Sequence, residues 1–249
     1  GIELVQRDRE QAVERGIVFG MREPGFALEA PIRRPPKVLG IGLNYRDHAA
    51  ETKQEIPKQP VVFTKLSTCI TGHGMPIRRP RVSSAVDWEG EFCFVIGRRA
   101  RRVRAADAPR YIAGYTIGND VSVRDWQFHS PTWMMGKGFD THGPLGPYLV
   151  TPDEAGDVAN LEIKTWVNGE LKQNSNTSEL IFNPGAIIEY LTQVFTLEPG
   201  DVVFTGTPAG VGASRRPPEW LKAGDLVRIA ISRLGVLENP VVDEPESIE

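Results

Sequence analysis

The sequence predicts a β-dominated α+β protein whose strands lie in more than one sheet. Three observations carry that expectation. Asn168-Gly169 sits between the alternating runs of LEIKTWVNGELKQN (Leu161–Asn174), and this dipeptide tolerates the positive φ angles that a tight hairpin turn needs. One segment carries a full helical stripe: Asn183-Pro184 supplies an N-cap and first turn, followed by Ile187, Ile188, Leu191, Val194 and Phe195. Helices do not alternate with strands as a parallel sheet requires, and 25 glycines with 20 prolines favour short strands and turns.

Taken in order, residues 1–36 form a short N-terminal segment that closes in the proline-rich APIRRPP (Ala30–Pro36), so the main domain is expected over 37–249. KVLGIGLNY reads as a buried strand entering a loop, and RDHAAET as a short helix. PVVFTKL (Pro60–Leu66) and EFCFVIG (Glu91–Gly97) are β-rich. A second helix candidate lies near Asp107, and the apolar strand after it ends at Asn119 and Asp120. LEPGDVVFTGT (Leu197–Thr207) and LKAGDLVRIAIS (Leu221–Ser232) are similar turn-plus-strand units without the sustained period of a solenoid.

Composition narrows the function classes. A net charge of -3 gives no electrostatic case for nucleic acid or an anionic membrane surface. RRARRVR (Arg98–Arg104) has no interleaved aromatic residues and reads as a solvated turn. No apolar run approaches the roughly 20 residues of a transmembrane helix. The two cysteines, Cys69 and Cys93, sit in apolar surroundings that suit core packing rather than a disulfide framework. No signal-peptide pattern is present, and a reducing, cytoplasmic setting is expected. The start at Gly1 rather than Met suggests that a few residues precede it.

DWEGEF (Asp87–Phe92) poses the chemical question. In one strand, Asp87, Glu89 and Glu91 would share a face and repel, while FCFVIG carries the strand into a core. A solvated edge would leave the charges harmless. A hard divalent cation held by oxygen ligands would instead cancel both repulsion and desolvation, and Asp120, ending a glycine-flanked strand, is the natural further ligand. His48 and Glu51 in NYRDHAAE share a helical face, which makes either an incidental exposed pair or a general base held by a carboxylate. Lys137 lies among the glycines of GKGFDTHGPLGP, directed at an anion or simply solvated, with no phosphate-binding P-loop pattern. TGTPAGVG (Thr205–Gly212) offers backbone amides that could hold a carboxylate or an oxyanion.

Together these segments resemble the fumarylacetoacetate hydrolase family over roughly Lys37–Val242: GLNYRDHAAE, FTKLST, DWEGEF, NDVSVRDWQ, GKGFDTHGPLGPYLV, LIFNPGAIIEYLTQ, EPGDVVFTGTPAGVG and KAGDLVRI occur in the family's order. DxExE followed by DxxxRDxQ is the specific part. The resemblance implies a mixed β-sandwich roll, usually a homodimer, with the N-terminal SH3-like domain of animal members absent or reduced. It implies that Glu89, Glu91 and Asp120 hold Mg²⁺, with Mn²⁺ or Ca²⁺ able to substitute. His48 and Glu51 match a water-activating dyad on a mobile lid, Lys137 a residue that polarises substrate, and Arg124, Gln127 and Thr207 positions that grip its carboxylate and oxo groups. Asp87 is not a usual ligand and is expected to pair nearby.

The activity so implied is metal-dependent hydrolysis of a carbon–carbon bond in a 2,4-dioxo acid, through a pyruvate enolate. The substrate would be an acylpyruvate such as fumarylpyruvate, or a 2,4-dioxo-3-deoxy sugar acid. The complete HxxE pair favours hydrolysis. The alternative is a decarboxylase or isomerase of the same family, acting on oxaloacetate or on 2-hydroxyhepta-2,4-diene-1,7-dioate in aromatic-compound catabolism. A non-catalytic metabolite-binding homologue is disfavoured by the intact carboxylates, dyad and lysine. Pocket walls are expected from the lid and from Phe128–Met135, while SRRPPEW (Ser214–Trp220) would either close the pocket or reach a second subunit.

Overall fold

The computed structural model describes residues 27–246; 1–26 and 247–249 lie outside the described residues, so the expected N-terminal segment is seen only over 27–36. From Val38 the chain runs β1 (Val38–Gly42), α1 (Arg46–Thr52), β2 (Val61–Lys65), β3 (Ile70–Thr71), β4 (Ile77–Arg79) and β5 (Val86–Asp87). Next come β6 (Gly90–Ile96), β7 (Ile112–Asn119), β8 (Ser122–Val123) and two single-turn helices, α2 (Arg124–Gln127) and α3 (Met134–Lys137). Then follow β9 (Gly143–Val150), α4 (Pro152–Ala155), β10 (Glu162–Val167), β11 (Glu170–Asn176) and α5 (Pro184–Val194). The chain ends in β12 (Val202–Phe204), β13 (Leu226–Ile231) and β14 (Gly235–Asp243).

A seven-stranded sheet has the order β2-β1-β12-β6-β7-β9-β3, and a five-stranded sheet the order β11-β10-β13-β14-β4. Both are mixed, since β1 and β12, β3 and β9, and β14 and β4 pair in parallel. β5 and β8 form a separate two-stranded ladder. The sheets pack together as the β-dominated α+β sandwich roll that the sequence predicts.

β6 shows why the arrangement is unique. Phe92, Phe94 and Ile96 enter the core between the sheets, with Ile163, Ile229 and Leu237. Cys93 and Val95 enter a smaller core on the other face, with Val38, Leu145, Val202 and Phe204, covered by Ala30 and Ile32. A strand buried on both faces must be continuously apolar, which explains FCFVI. Each buried phenylalanine contributes about 1.5–3 kcal/mol, and a one-residue slip would drive Glu91 between the sheets, so the register is strongly specified. Where β6 meets the smaller sheet, a Cβ on Gly90 would lie 2.2 Å from Thr165 Oγ1, so only glycine fits.

The expected hairpin forms as β10–β11, with positive φ at Asn168 and Gly169 (52° and 81°). α5 starts as expected: the Asn183 side chain accepts from the Ala186 N–H at 3.0 Å, and Ile187, Ile188 and Leu191 are buried. Val194 departs from the stripe at 72% exposure, because the last turn outruns the core that Phe195 still touches. The helix near Asp107 is a 3₁₀ segment, Ala105–Tyr111, with Pro109 inside it; proline lacks the N–H that an α-helix would use there. The two echoing units separate, β12 joining the larger sheet and β13 the smaller.

Candidate active site

DWEGEF is not one strand. The chain leaves β5 after Asp87 and enters β6 only at Gly90, so the three carboxylates do not share one ladder. Glu89 lies in the break, Glu91 on β6 and Asp120 just beyond β7, and their carboxylate oxygens come within 4.8 Å of one another. Pairing of Gly90 with Asn119 and Glu91 with Gly118 brings Asp120 alongside, and its N–H donates to the Glu89 carbonyl at 2.9 Å.

All three are buried, so their mutual repulsion is strong unless cations answer it. Lys137 Nζ lies 2.8 Å from Glu89 Oε2 and 2.7 Å from Asp120 Oδ2. Lys65 Nζ lies 2.6 Å from Asp120 Oδ1 and also donates to the Lys137 carbonyl. Arg124 Nη1 lies 2.7 Å from Glu89 Oε1. Glu91 has no such cation among the described residues; it accepts from the Gly206 N–H at 2.7 Å. Burial first, then Asp120 and Glu89, push the Glu91 carboxyl well above its ordinary range. Burial also pushes Glu89 upward, but Lys137 and Arg124 outweigh it and hold that carboxyl well below its ordinary value. An all-oxygen set with one unanswered buried charge fits a hard divalent cation of the Mg²⁺, Mn²⁺ or Ca²⁺ class.

Asp87 belongs to a different network. It accepts from the N–H groups of Trp88, Gly212 and Ala213 and from Arg124 Nε, at 2.7–2.9 Å. Arg124 thus spans Asp87 and Glu89, and its Nη1 also donates to Gln127 Oε1. Asp87 holds the arginine and stands outside the three-carboxylate cluster.

His48 and Glu51 both lie on α1, with His48 Nδ1 3.1 Å from Glu51 Oε2. Glu51 Oε1 accepts from the Gly210 N–H at 2.9 Å. Burial alone would raise the Glu51 carboxyl, but the bonds from His48 and Gly210 outweigh it and hold it below its ordinary value. Three amides of TGTPAGVG hold the chain's own carboxylates: Gly206 serves Glu91, Gly210 serves Glu51 and Gly212 serves Asp87. Through these bonds the loop ties α1, by Glu51, to the carboxylate cluster, by Glu91.

A cavity of about 180 Å³ brings together His48, the three carboxylates, Arg124, Gln127, Lys137 and Thr207. Glu51 lies just behind His48. Phe128 and Trp133 contribute walls, as does Ser214 from SRRPPEW. Pro218, Glu219 and Trp220 of that segment instead line a larger hollow of about 430 Å³ beside Trp88, which contains none of the three clustered carboxylates. Thr207 turns its hydroxyl inward, donating to the Gly90 carbonyl at 3.0 Å and accepting from Gln173 at 2.8 Å. Its hydroxyl proton is thus committed within the protein. Lys65 was not among the expected site residues. A signal for it exists in PVVFTKL, where Lys65 stands in phase with the buried Phe63.

Comparison with known proteins bears on the family and the fold. The family model "Fumarylacetoacetate (FAA) hydrolase C-terminal" matches residues 37–242. A mitochondrial oxaloacetate tautomerase of Xenopus laevis is 49% identical over 219 residues, covering 87% of this chain and 69% of the relative. The crystal structure of 2-hydroxyhepta-2,4-diene-1,7-dioate isomerase from Mycobacterium marinum is 45% identical with a TM-score of 0.77, over 88% of this chain and 79% of that one. A fumarylacetoacetate hydrolase from Exiguobacterium antarcticum is 38% identical with a TM-score of 0.81, over 87% and 78% of the two chains. A buried acidic triad, a histidine–glutamate pair facing it and a sequence match over 37–242 lead to one conclusion: this chain belongs to the fumarylacetoacetate hydrolase family.

Proposed function

We propose that the chain is an enolate-handling enzyme that moves a proton next to the oxo group of a 2-oxo dicarboxylic acid. Its reaction would be keto–enol tautomerisation of oxaloacetate or the related isomerisation of a dienol. The observation that carries this reading is one cavity holding His48, backed by Glu51, beside the three-carboxylate cluster and Lys137. The names of the similar tautomerase and isomerase support proton transfer over the carbon–carbon hydrolysis that the sequence alone puts first. Decarboxylation of oxaloacetate passes through the same enolate.

Tautomerisation moves one proton from carbon 3 to the 2-oxygen and changes nothing else. Glu51 at Nδ1 fixes the ring so that Nε2 of His48 is the free base, and steadies the charge when that nitrogen takes the carbon-bound proton. Burial would lower the Lys137 ammonium, but Asp120 and then Glu89 outweigh it and keep it charged, ready to hold a proton at the oxygen. Arg124 and Gln127 are assigned to orienting the acid, and Thr207, whose hydroxyl proton goes to the Gly90 carbonyl, to lining the cavity beside it. Phe63, Phe128 and Trp133 limit water. A divalent cation, Mg²⁺ in this proposal, held by Glu89, Glu91 and Asp120 would polarise the 2-oxo group and balance the developing negative charge.

The test follows the ultraviolet enol absorbance of oxaloacetate with metal-depleted and Mg²⁺-restored protein, wild type and His48→Ala. Metal-dependent interconversion that His48→Ala removes is the expected result; interconversion indifferent to both refutes the reading. Hydrolysis of an acylpyruvate remains the second reading, favoured by the His48–Glu51 contact, and faster turnover of an acylpyruvate in the same assay would promote it.

The proposal includes a homodimer and a domain spanning 37–249. β2 is the open edge of the larger sheet, and Ile56, Val61, Val62, Phe128 and Met135 are exposed apolar residues near it or in the α2–α3 segment; light scattering would read the oligomeric state. No helix among the described residues is long and apolar enough to cross a membrane. A reducing compartment, the cytoplasm in this proposal, suits the two free buried cysteines, although the Xenopus relative is named as mitochondrial. Cell fractionation separates the two.

A further inference from the structure

We infer that Gln173 is a positioning residue for the carboxylate cluster: from β11 of the five-stranded sheet it clamps the Glu89–Glu91 stretch of the opposite sheet to the Thr207–Pro208 loop. Its side chain is 1% exposed. Oε1 accepts from the Gly90 N–H at 2.9 Å, on the residue between the two glutamates. Nε2 donates to Thr207 Oγ1 and to the Pro208 carbonyl, both at 2.8 Å. The amide cannot be turned over, because its NH₂ would then face an N–H and its oxygen a carbonyl.

Geometry makes this more than ordinary core satisfaction. Gly90 has no side chain and sits where the sheets touch, so nothing of its own fixes its peptide against the smaller sheet. Gln173 supplies that link and, through Thr207, a second one, since the Thr207 hydroxyl donates to the Gly90 carbonyl. Both polar groups of Gly90 are thereby held at the point from which the flanking glutamates leave. Outer-shell bonds that orient ligands in this way are worth about 10–100-fold in metal affinity.

The same strand reaches the lid independently. Ser175, two residues on and on the same strand face, lies with Oγ 2.5 Å from Asp47 Oδ2. Asp47 Oδ1 in turn accepts from the His48 N–H at 2.7 Å. Alternate residues of β11 therefore address two parts of the site, Gln173 the ligands and Ser175 the base.

That division gives a readout which a purely structural role would not produce. The inference rests on the cluster as a cation site, not on which reaction it serves. Mn²⁺ is titrated calorimetrically into metal-depleted wild type, Gln173→Met, Ser175→Ala and Ile229→Val; the last trims packing beside Gly90 without touching a hydrogen bond. Gln173→Met should raise the Mn²⁺ Kd about 10–100-fold. Ser175→Ala and Ile229→Val should stay within about two-fold of wild type, while Ser175→Ala alone lowers kcat at saturating Mn²⁺. A folded Gln173→Met that binds Mn²⁺ like wild type overturns the inference, as does wild type that binds none. Should Gln173→Met not fold, Gln173→Asn replaces it: it keeps the amide but is one methylene too short to reach both sides, and should also weaken Mn²⁺. Failure of both to fold makes Gln173 a structural residue and likewise overturns the inference. Weakened Mn²⁺ binding in a protein inactive on oxaloacetate would uphold Gln173 and remove the proposed reaction; unchanged binding with full tautomerase activity would do the reverse.

Discussion

On the floor of the cavity, the Glu89, Asp120 and Lys137 side chains keep at most 8% exposure, with Glu91 buried beside them; their ion pairs, and that of Asp120 with Lys65 outside the lining, measure 2.6–2.8 Å. On α1, the proposed lid, the His48 and Glu51 side chains keep 14% and 24% exposure and meet at 3.1 Å. The floor is charge held in place by the core on which β6 and β7 rest. α1 is one short helix fastened by polar contacts, among them Glu51 to Gly210 and Asp47 to Ser175. Under the proposed reaction, groups that stabilise developing charge would gain from being fixed beforehand, and a base that admits substrate would gain from a tether that can open. The two regions should therefore respond differently to substitution.

The largest effect is expected on the floor. Lys137→Met leaves Glu89 and Asp120 short of a buried partner and should cost about 3–5 kcal/mol, read by urea unfolding of metal-depleted protein. A loss below about 1 kcal/mol, the value of an exposed pair, would erase the contrast. In the lid, His48→Ala should lower turnover about 10²-fold while stability stays within about 0.5 kcal/mol. Comparable losses of stability at both sites would show that α1 is as integral as the floor.

Glu91→Gln sharpens the comparison within the floor itself. Glu91 is the member of the cluster pushed well above its ordinary value by burial and by its two neighbours, so removing its charge should raise the melting temperature of the metal-free protein by about 2–4 °C, equivalent to 1 kcal/mol. A raised folded-state value destabilises only where the unfolded carboxyl ionises, so the gain should appear as pH rises above 4.5 and vanish below it. Mn²⁺ affinity should fall in the same variant. Glu89→Gln lacks this gain, since its charge is already paired with Lys137 and Arg124.

The smallest effect belongs to Glu51. Its folded-state value lies below the ordinary 4.5, so its contribution is present above that pH and is lost as pH falls through the lowered value. Acid unfolding of wild type and Glu51→Gln should therefore converge below that window and separate modestly above it. Separation that grows on acidification would contradict the His48 and Gly210 bonds as its cause.

Much of this is legible in the sequence. Local spacing suffices for the Asn168-Gly169 hairpin, for the capped start of α5 and for placing His48 and Glu51 on one helical face, because each depends on residues within a few positions of one another. The resemblance of DWEGEF and NDVSVRDWQ to one family brought Asp120 to the two glutamates across a sequence gap that periodicity could not bridge. A uniform period of two puts Asp87 on the same face as Glu89 and Glu91, because it does not show that the strand breaks at Trp88 and Glu89. Val194 was placed in the apolar stripe because a helical pattern does not show where the core ends.

The sequence by itself determined that carboxylates, a base and a lysine exist in a β-rich chain of this family, and how some of them are spaced. Only the tertiary structure decided who neutralises whom. Lys65 reaches Asp120 across 55 positions, Gly206 reaches Glu91 across 115, and Gln173 reaches Gly90 across 83. Such partnerships arise where two sheets and a loop converge, and the energy that selects them is the cost of leaving a buried charge or amide without a partner. That cost depends on burial, which exists only once the chain has folded.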